Sequence, residues 1–504
     1  MNTLSDSDAT VSGLTSEQCV ASATRTRNLF IEAGPGTGKT TVAAHRLGVL
    51  RFDAVNRRGK GAVVAVSFTR AATACLAQRV QRLWGPAALL WPHRVITLDT
   101  IMCDLLHDLL QAGLLHWPNG YTSLTVHDSW ASFGGSTWNR TVYSVDVVGD
   151  QVEIRPGWIP KRRASVPATV SVPLLLEGVC AHDDVRSVLE QALDNPALAD
   201  FVKQRLRSST RALIVDEVFD ANDLDIAIIE AAIDAEIPVT LIGDPWQALY
   251  VFRGARPEVV PLLIQRSSIR ALSLTKSFRW QEDAQRELAQ KLRLGEPVTL
   301  PVYDHASALG DTDVVLSLTW KPLWELGGGV LPLAFHSFKG GTEEAAATLF
   351  LNHITRSIFS VDATYVNDAL TALAIADRDV PRQLEPQFRE LEGMLRHHGK
   401  PGIRAAYDRL VEVIRTVSPR TLRRAHKSHT DRLVLLQERL AYGRRPVPGL
   451  TAHQAKGGEW DLVGVRLSDS ERQILANGLS VTRDIDRKLY VACTRARRRT
   501  VEVV

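Results

Sequence analysis

What is scarce in this sequence narrows the field first. Cysteine occurs five times in 504 residues, at Cys19, Cys75, Cys103, Cys180 and Cys493, far apart and with no Cys-x-x-Cys pair. That disfavours a zinc or iron–sulfur site and leaves isolated buried thiols as the reading. No apolar run approaches the roughly 18 residues that a membrane-spanning helix needs. The opening stretch MNTLSDSDATVSG has no basic segment followed by an apolar core. No secretory signal is therefore expected, and residues 1–13 read as a disordered tail on a cytoplasmic protein. Excess charge is missing too, because 60 Lys plus Arg against 56 Asp plus Glu leave only +4, too little for net charge alone to imply a nucleic-acid partner.

What is present is ordinary for a soluble chain, with 45% apolar and 23% charged residues. The length exceeds what one core organises, so several domains are expected. Short apolar strands alternate with helical stretches in two regions, which predicts α/β units with parallel sheets. Strands are expected at 29–32, 62–67, 95–98, 212–215 and 239–242 in the first unit, and at 271–274, 333–336, 373–376 and 462–467 in the second. Residues 102–208 differ in character and read as an insertion, with a hairpin over Thr141 to Arg155 turning at Gly149-Asp150. A second insertion at 382–448, rich in Arg, Leu and Glu at helical spacing, is expected to be helical. Basic runs stand at Arg57, Arg58 and Lys60, at Lys161 to Arg163, at Arg423, Arg424 and Lys427, and at Arg495 to Arg499. A solvated face is the usual meaning of such runs.

One segment carries chemistry on its own. The strand around Leu29 leads into Ala33-Gly34-Pro35-Gly36-Thr37-Gly38-Lys39-Thr40-Thr41 and then an apolar helix, the order a phosphate-binding loop requires. Glycines let backbone N–H groups turn toward phosphate oxygens, and the helix N-terminus adds attraction. Lys39 then reaches the β- and γ-phosphates of ATP, and the Thr40 hydroxyl ligates Mg²⁺. The strict pattern begins with Gly where this chain has Ala33. Further on, the strand Arg211-Ala-Leu-Ile-Val ends in Asp216 and Glu217, placing one carboxylate for Mg²⁺ and one to orient and deprotonate the attacking water.

From here the motifs, in order from about residue 14 to 499, resemble the superfamily 1 helicases of the Rep, PcrA and UvrD type. Leu14-Thr15-Ser16-Glu17-Gln18 looks like the family's adenine-reading motif, which implies that Gln18 hydrogen-bonds the base. Ser67-Phe68-Thr69-Arg70 resembles a DNA-contacting motif, implying Phe68 and Thr69 at the strand. The most diagnostic string, Gly243-Asp-Pro-Trp-Gln247-Ala-Leu-Tyr250-Val-Phe252-Arg253-Gly-Ala255, implies Gln247 as γ-phosphate sensor and Tyr250, Phe252 and Arg253 as strand contacts. Leu274-Thr-Lys-Ser-Phe278-Arg279 implies Phe278 stacking on adenine and Arg279 reaching the γ-phosphate from across a cleft. Thr451 to Asp461 implies Glu459 on the ribose and His453 near DNA, and Leu489 to Ala496 implies Arg495 as a finger on the transferring phosphoryl group.

The resemblance implies two RecA-like P-loop domains with inserted subdomains: 14–101 with 209–265, 266–381 with 449–504, an insertion at 102–208 and a reduced helical insertion at 382–448. The implied activity is ATP- and Mg²⁺-dependent translocation along single-stranded DNA, 3′-to-5′ in the family, beside a possible separate nuclease, repair or defence partner and no membrane. Three departures bear on it. Phe219 stands where the family has a coupling Gln, Asp99 stands where many members have His, and the second insertion is much shorter than the large subdomain of Rep and UvrD. The chain ends soon after Arg499, without room for a C-terminal nuclease; compact chains of this plan include the helicase subunit of Gabija-type anti-phage systems. A nucleotide-gated DNA-binding scaffold with weak or no unwinding, and a P-loop signalling ATPase unrelated to DNA, remain alternatives. RNA in place of DNA stays open, because stacking and phosphate contacts do not read the sugar.

Overall fold

The computed structural model describes residues 13–53, 61–130, 133, 137–303, 311–397, 399–423 and 427–504. Nearly all of the tail expected at 1–13, together with Arg57, Arg58, Lys60 and Arg424 of the basic runs, lies outside them, as do the side chains of Arg162, Arg163 and Lys427. The chain divides into two compact units: Met1–Trp117, Val147–Val152 and Asp184–Trp280 form one, and Pro118–Asp146, Glu153–Asp183 and Gln281–Val504 the other.

The first unit is built on a six-stranded sheet in the order Arg270–Leu274, Leu29–Ala33, Val239–Gly243, Thr210–Asp216, Ala62–Ser67, Arg94–Thr97, and every pairing is parallel. Parallel strands are covered on both faces and so read as continuous apolar runs; all six residues of Ala62–Ser67 are buried. The helix Lys39–Phe52 lays Val42, Ala43, Ala44 and Leu47 on Leu29, Ile31 and Ala33. Arg46 of that helix is itself buried. Its Nε donates to Thr240 Oγ1 at 2.6 Å and its Nη1 to the Thr24 carbonyl at 3.0 Å. Burial lowers its pKa to about 10, so it stays charged and rivets helix, sheet and the preceding helix Ser16–Ala23 together.

The second unit holds another all-parallel six-stranded sheet, in the order Val302–Tyr303, Ala496–Val503, Trp460–Val465, Val314–Ser317, Val447–Thr451, Val330–Pro332. Helices Thr342–Phe359, Glu385–His397, Gly399–Arg415 and Lys427–Leu440 enclose a core that includes Phe350, Phe388, Leu410 and Leu436. The helical character expected for 382–448 is present. So is the hairpin, as strands Thr137–Val148 and Gln151–Ser165 with Gly149 at φ +67° in its turn.

Three strand expectations are corrected. Ala271–Leu274 does not open the second sheet; Arg270–Leu274 forms the edge of the first, paired along Leu29–Ala33. At 333–336 the strand has already ended, since Val330–Pro332 supplies the pairing and Leu333 N–H closes it on Gly449 O. Leu373–Ala376 is the turn that follows helix Val366–Ala372, where Ala374 takes φ +53° and Leu373 and Ile375 bury in the helical core. A short apolar run serves a strand and a packed helix end equally well, and periodicity alone does not separate them.

Candidate nucleotide and strand site

In the first unit, parallel pairing brings Ala33 beside Leu274 and Glu32 beside Gly243. The loop from Ala33 to Lys39, the segment after Leu274 and the segment after Gly243 therefore leave the same end of the sheet, where α/β proteins bind ligands. Asp216 ends its strand at that side too, paired with Ile242.

Gly36 and Gly38 have φ of +72° and +86°. A Cβ on Gly36 would lie 2.5 Å from that of Arg279, and one on Gly38 2.6 Å from Gln18 Nε2, so only glycine fits both conformation and space. Gly38 caps the helix in which Lys39 and Thr40 are the first residues. Lys39 Nζ donates to the Ala33 carbonyl at 3.1 Å and lies 3.7 Å from Glu217 Oε1. The loop lysine and the candidate base thus already share one locus. Glu217 adopts φ +61°, and its N–H donates to Asp216 Oδ1 at 3.1 Å. A non-glycine residue held left-handed costs free energy, and such positions cluster where a side chain must be aimed. Thr41 is held by Arg79 through its hydroxyl.

Gln18 is buried and doubly engaged. Its Oε1 accepts from Thr15 N–H at 3.0 Å in a capping box, and its Nε2 donates to the Thr37 carbonyl at 2.9 Å. An amide retains a second proton and a second lone pair, enough for one base edge. Phe278 is 54% exposed, with the Lys276 ammonium 5.7 Å from its ring centre. Arg279 is buried, in the same unit as the loop; the expected reach from across a cleft is corrected, because the edge strand carries residues 275–279 onto Gly36.

Asp244, fully buried, organises the next segment. Its carboxylate accepts from Gln247 Nε2 at 2.7 Å and from Trp246 N–H at 3.3 Å. Six residues on, Tyr250 and Phe252 tilt together at 6.0 Å, and the Arg253 guanidinium lies 5.3 and 5.6 Å from their ring centres. Phe252 is 65% exposed. Phe68 is half-buried, and Thr69 caps helix Arg70–Trp84 by accepting from Ala72 N–H. Phe219 is a core residue, edge-on to Phe30 at 6.1 Å and filling the space a Cβ on Gly243 would need. Its burial contributes roughly 1.5–3 kcal/mol and no polar contact. Asp99 pairs with Arg186, which also meets buried Asp225.

In the second unit His453 is half-buried and Glu459 exposed, in the turn after Val447–Thr451. Arg495 is buried, with Nε donating to the Val491 carbonyl at 3.1 Å. The rest of its basic run is spent locally: Arg497 pairs with Asp461, Arg498 with Glu282, and Arg499 donates to the Tyr303 hydroxyl. Sequence reasoning missed Glu17, Thr275, Ser277 and Asp244. Only Asp244 left a signal, an Asp immediately before Pro and able to cap the short turn that follows.

The residues present fit a magnesium nucleotide. Mg²⁺ takes one or two protein oxygens and completes its shell with phosphate and water, which a Thr40 hydroxyl and an Asp216 carboxylate can supply. Among the described residues no group of three or more His, Cys, Asp or Glu could hold a metal ion, and no helix is long and apolar enough to cross a membrane.

Fold and site define a P-loop α/β protein, and residues 16–253 match the family model described as an AAA domain. The Rep ATP-dependent DNA helicase of Salmonella typhimurium is 31% identical over 81 residues, 16% of this chain and 12% of that protein. Rep of Escherichia coli K12 is 30% identical over 79 residues, with the same coverage of each. Among solved structures, an arterivirus nonstructural protein 10 helicase in complex with DNA covers 97% of this chain and 62% of its own, at 12% identity and a TM-score of 0.32. The matched segment thus spans about an eighth of the Rep helicases' length. The domain match and the Rep similarities each cover less than half of this chain.

Proposed function

We propose that the protein is an ATP-dependent single-stranded DNA translocase or helicase. The observation that carries this is the segment Asp244–Arg253. In its first half the buried Asp244 carboxylate is tied to Gln247, and its second half presents the exposed Phe252 ring beside half-buried Tyr250 with a guanidinium across them. Aromatic stacking suits a strand of any sequence, and a segment joining nucleotide sensor to strand contact couples hydrolysis to stepping. Loop N–H groups and Lys39 bind the phosphates, Thr40 and Asp216 hold Mg²⁺, and Glu217 takes the proton from water. Bound Mg²⁺ supplies charge neutralisation at the phosphates. The roles of Phe68, Thr69, Arg279, His453, Glu459 and Arg495, the 3′-to-5′ polarity and any partner nuclease rest on the family resemblance, as does a place in DNA repair or phage defence in the cytoplasm.

A second reading is favoured by Phe219. A ring packed on Phe30 makes no hydrogen bond where the family has a coupling Gln, so a nucleotide-gated DNA-binding scaffold is the rival. Steady-state ATP hydrolysis without nucleic acid, with single-stranded DNA, with single-stranded RNA and with blunt duplex separates them. Stimulation by single-stranded DNA supports the motor; nucleotide binding with a flat response supports the scaffold.

A further inference from the structure

Three consecutive carbonyls of the nucleotide loop are each gripped from outside. The Ser277 hydroxyl donates to Pro35 O at 2.8 Å, Phe278 N–H to Gly36 O at 2.9 Å, and Gln18 Nε2 to Thr37 O at 2.9 Å. In a trans peptide the carbonyl and the next N–H point opposite ways. Pinning the carbonyls of Pro35 and Thr37 therefore turns the N–H groups of Gly36 and Gly38 to the loop's other side. The Thr37 N–H and hydroxyl close the turn on Gly34 O.

The donors are themselves tied together. Glu17, next to Gln18, accepts from Thr275 N–H at 2.8 Å and from its hydroxyl at 2.7 Å. Residues 275–279 thus form a strap, sewn at one end to the helix Ser16–Ala23 and at the other to the loop. All of these contacts lie within the first unit. The strap runs directly into Gln281, where the second unit resumes.

We propose that Glu17, Thr275 and Ser277 are positioning residues that set nucleotide affinity by holding the phosphate loop in its binding shape, without touching the nucleotide. The proposal rests on the nucleotide-binding reading above. Loops that bind phosphate through backbone N–H groups lose affinity when those groups must be reoriented at the moment of binding. Removing the strap's side-chain bonds therefore raises the nucleotide Kd and KM and leaves kcat nearly unchanged. Simple loss of folded protein would do the reverse, lowering kcat with KM intact.

The test uses the full chain. Binding of a fluorescent ATP analogue with Mg²⁺ and steady-state ATP hydrolysis are measured for wild type, Glu17→Gln, Thr275→Val and Ser277→Ala, with Thr275→Ser as the conservative control and thermal unfolding to confirm folding. Kd and KM are expected to rise about tenfold in Ser277→Ala, the effect of one lost hydrogen bond to a buried carbonyl. A smaller rise is expected at the more exposed Glu17 and Thr275, with Thr275→Ser close to wild type. Wild-type binding with unchanged Kd and KM in both Glu17→Gln and Ser277→Ala overturns the strap alone. Absence of nucleotide binding by the wild type overturns the functional reading and the strap with it. Where one variant fails to fold, the Thr275→Val and Thr275→Ser pair decides.

Discussion

Residues 244–247 and 250–253 are neighbours in the chain and opposite in character. The first four are closed around the buried carboxylate of Asp244, which accepts from both Gln247 and Trp246. The second four end in an aromatic pair under a guanidinium, with Phe252 65% exposed. The same contrast runs through the first unit. The loop proposed to hold nucleotide has three consecutive carbonyls individually pinned, whereas Phe252, proposed to meet the strand, is left open. A group that must meet phosphate within tenths of an ångström gains from preorganisation, whereas a surface that must accept successive bases gains from rings of general affinity.

The sharpest way to break the comparison is at its buried end. Lys39→Ala removes the cation beside Glu217 and is expected to abolish ATP turnover, with binding to single-stranded DNA retained. DNA-stimulated hydrolysis near the wild-type level in this variant would remove the proposed site. At the open end, Phe252→Ala is expected to raise the single-stranded DNA concentration for half-maximal stimulation by about tenfold, within the 1–3 kcal/mol of a stacked base. Its ATP affinity without DNA should match wild type. A shift in that affinity instead would show that the two ends are not separable.

Between them sits Asp244. Asp244→Asn keeps the shape but replaces one acceptor oxygen with a donor, so either Gln247 Nε2 or Trp246 N–H loses its partner. A cost of about 1–2 kcal/mol is expected, read as a lower thermal unfolding midpoint. A loss of DNA stimulation larger than the loss of basal turnover should accompany it. An equal loss of both would assign Asp244 to stability alone.

How much of this the sequence discloses depends on which contacts are local. Gly36, Gly38 and Lys39 are readable because the loop's conformation is set by residues adjacent in the chain. All five strands expected for the first unit are found: four are central and largely buried, and the half-buried edge strand Arg94–Thr97 carries the apolar pair Val95-Ile96. In the second unit Val314–Ser317 and Ala496–Val503 escape notice: the first is four residues long, and the second begins Ala-Arg-Arg-Arg, charged residues whose partners Asp461, Glu282 and Tyr303 are distant in sequence. Ser277 on Pro35 and Glu17 on Thr275 were illegible for the same reason. Both bonds span more than two hundred residues and follow from one strand, Arg270–Leu274, pairing at an edge that no local pattern announces.

The smallest expected effect lies away from the site and checks that pH acts on the fold separately from chemistry. His93 is buried just before strand Arg94–Thr97, and its Nδ1 accepts from Val63 N–H at 2.9 Å. Burial, with Arg51 and Arg211 nearby, lowers its pKa to about 4. A folded pKa below the unfolded value means that the unfolded chain binds the extra proton between about pH 6.5 and 4. The stability His93 contributes is therefore present above about pH 6.5 and is lost as the pH falls toward 4, where a proton on Nδ1 would oppose the Val63 N–H. His93→Gln keeps an acceptor that does not titrate. The difference in unfolding midpoint between wild type and variant is expected to shift in the variant's favour from pH 7 to pH 4.5, with nucleotide affinity at pH 7 unchanged. A difference that stays constant across that range would mean that His93 titrates in the folded protein as it does in the unfolded chain.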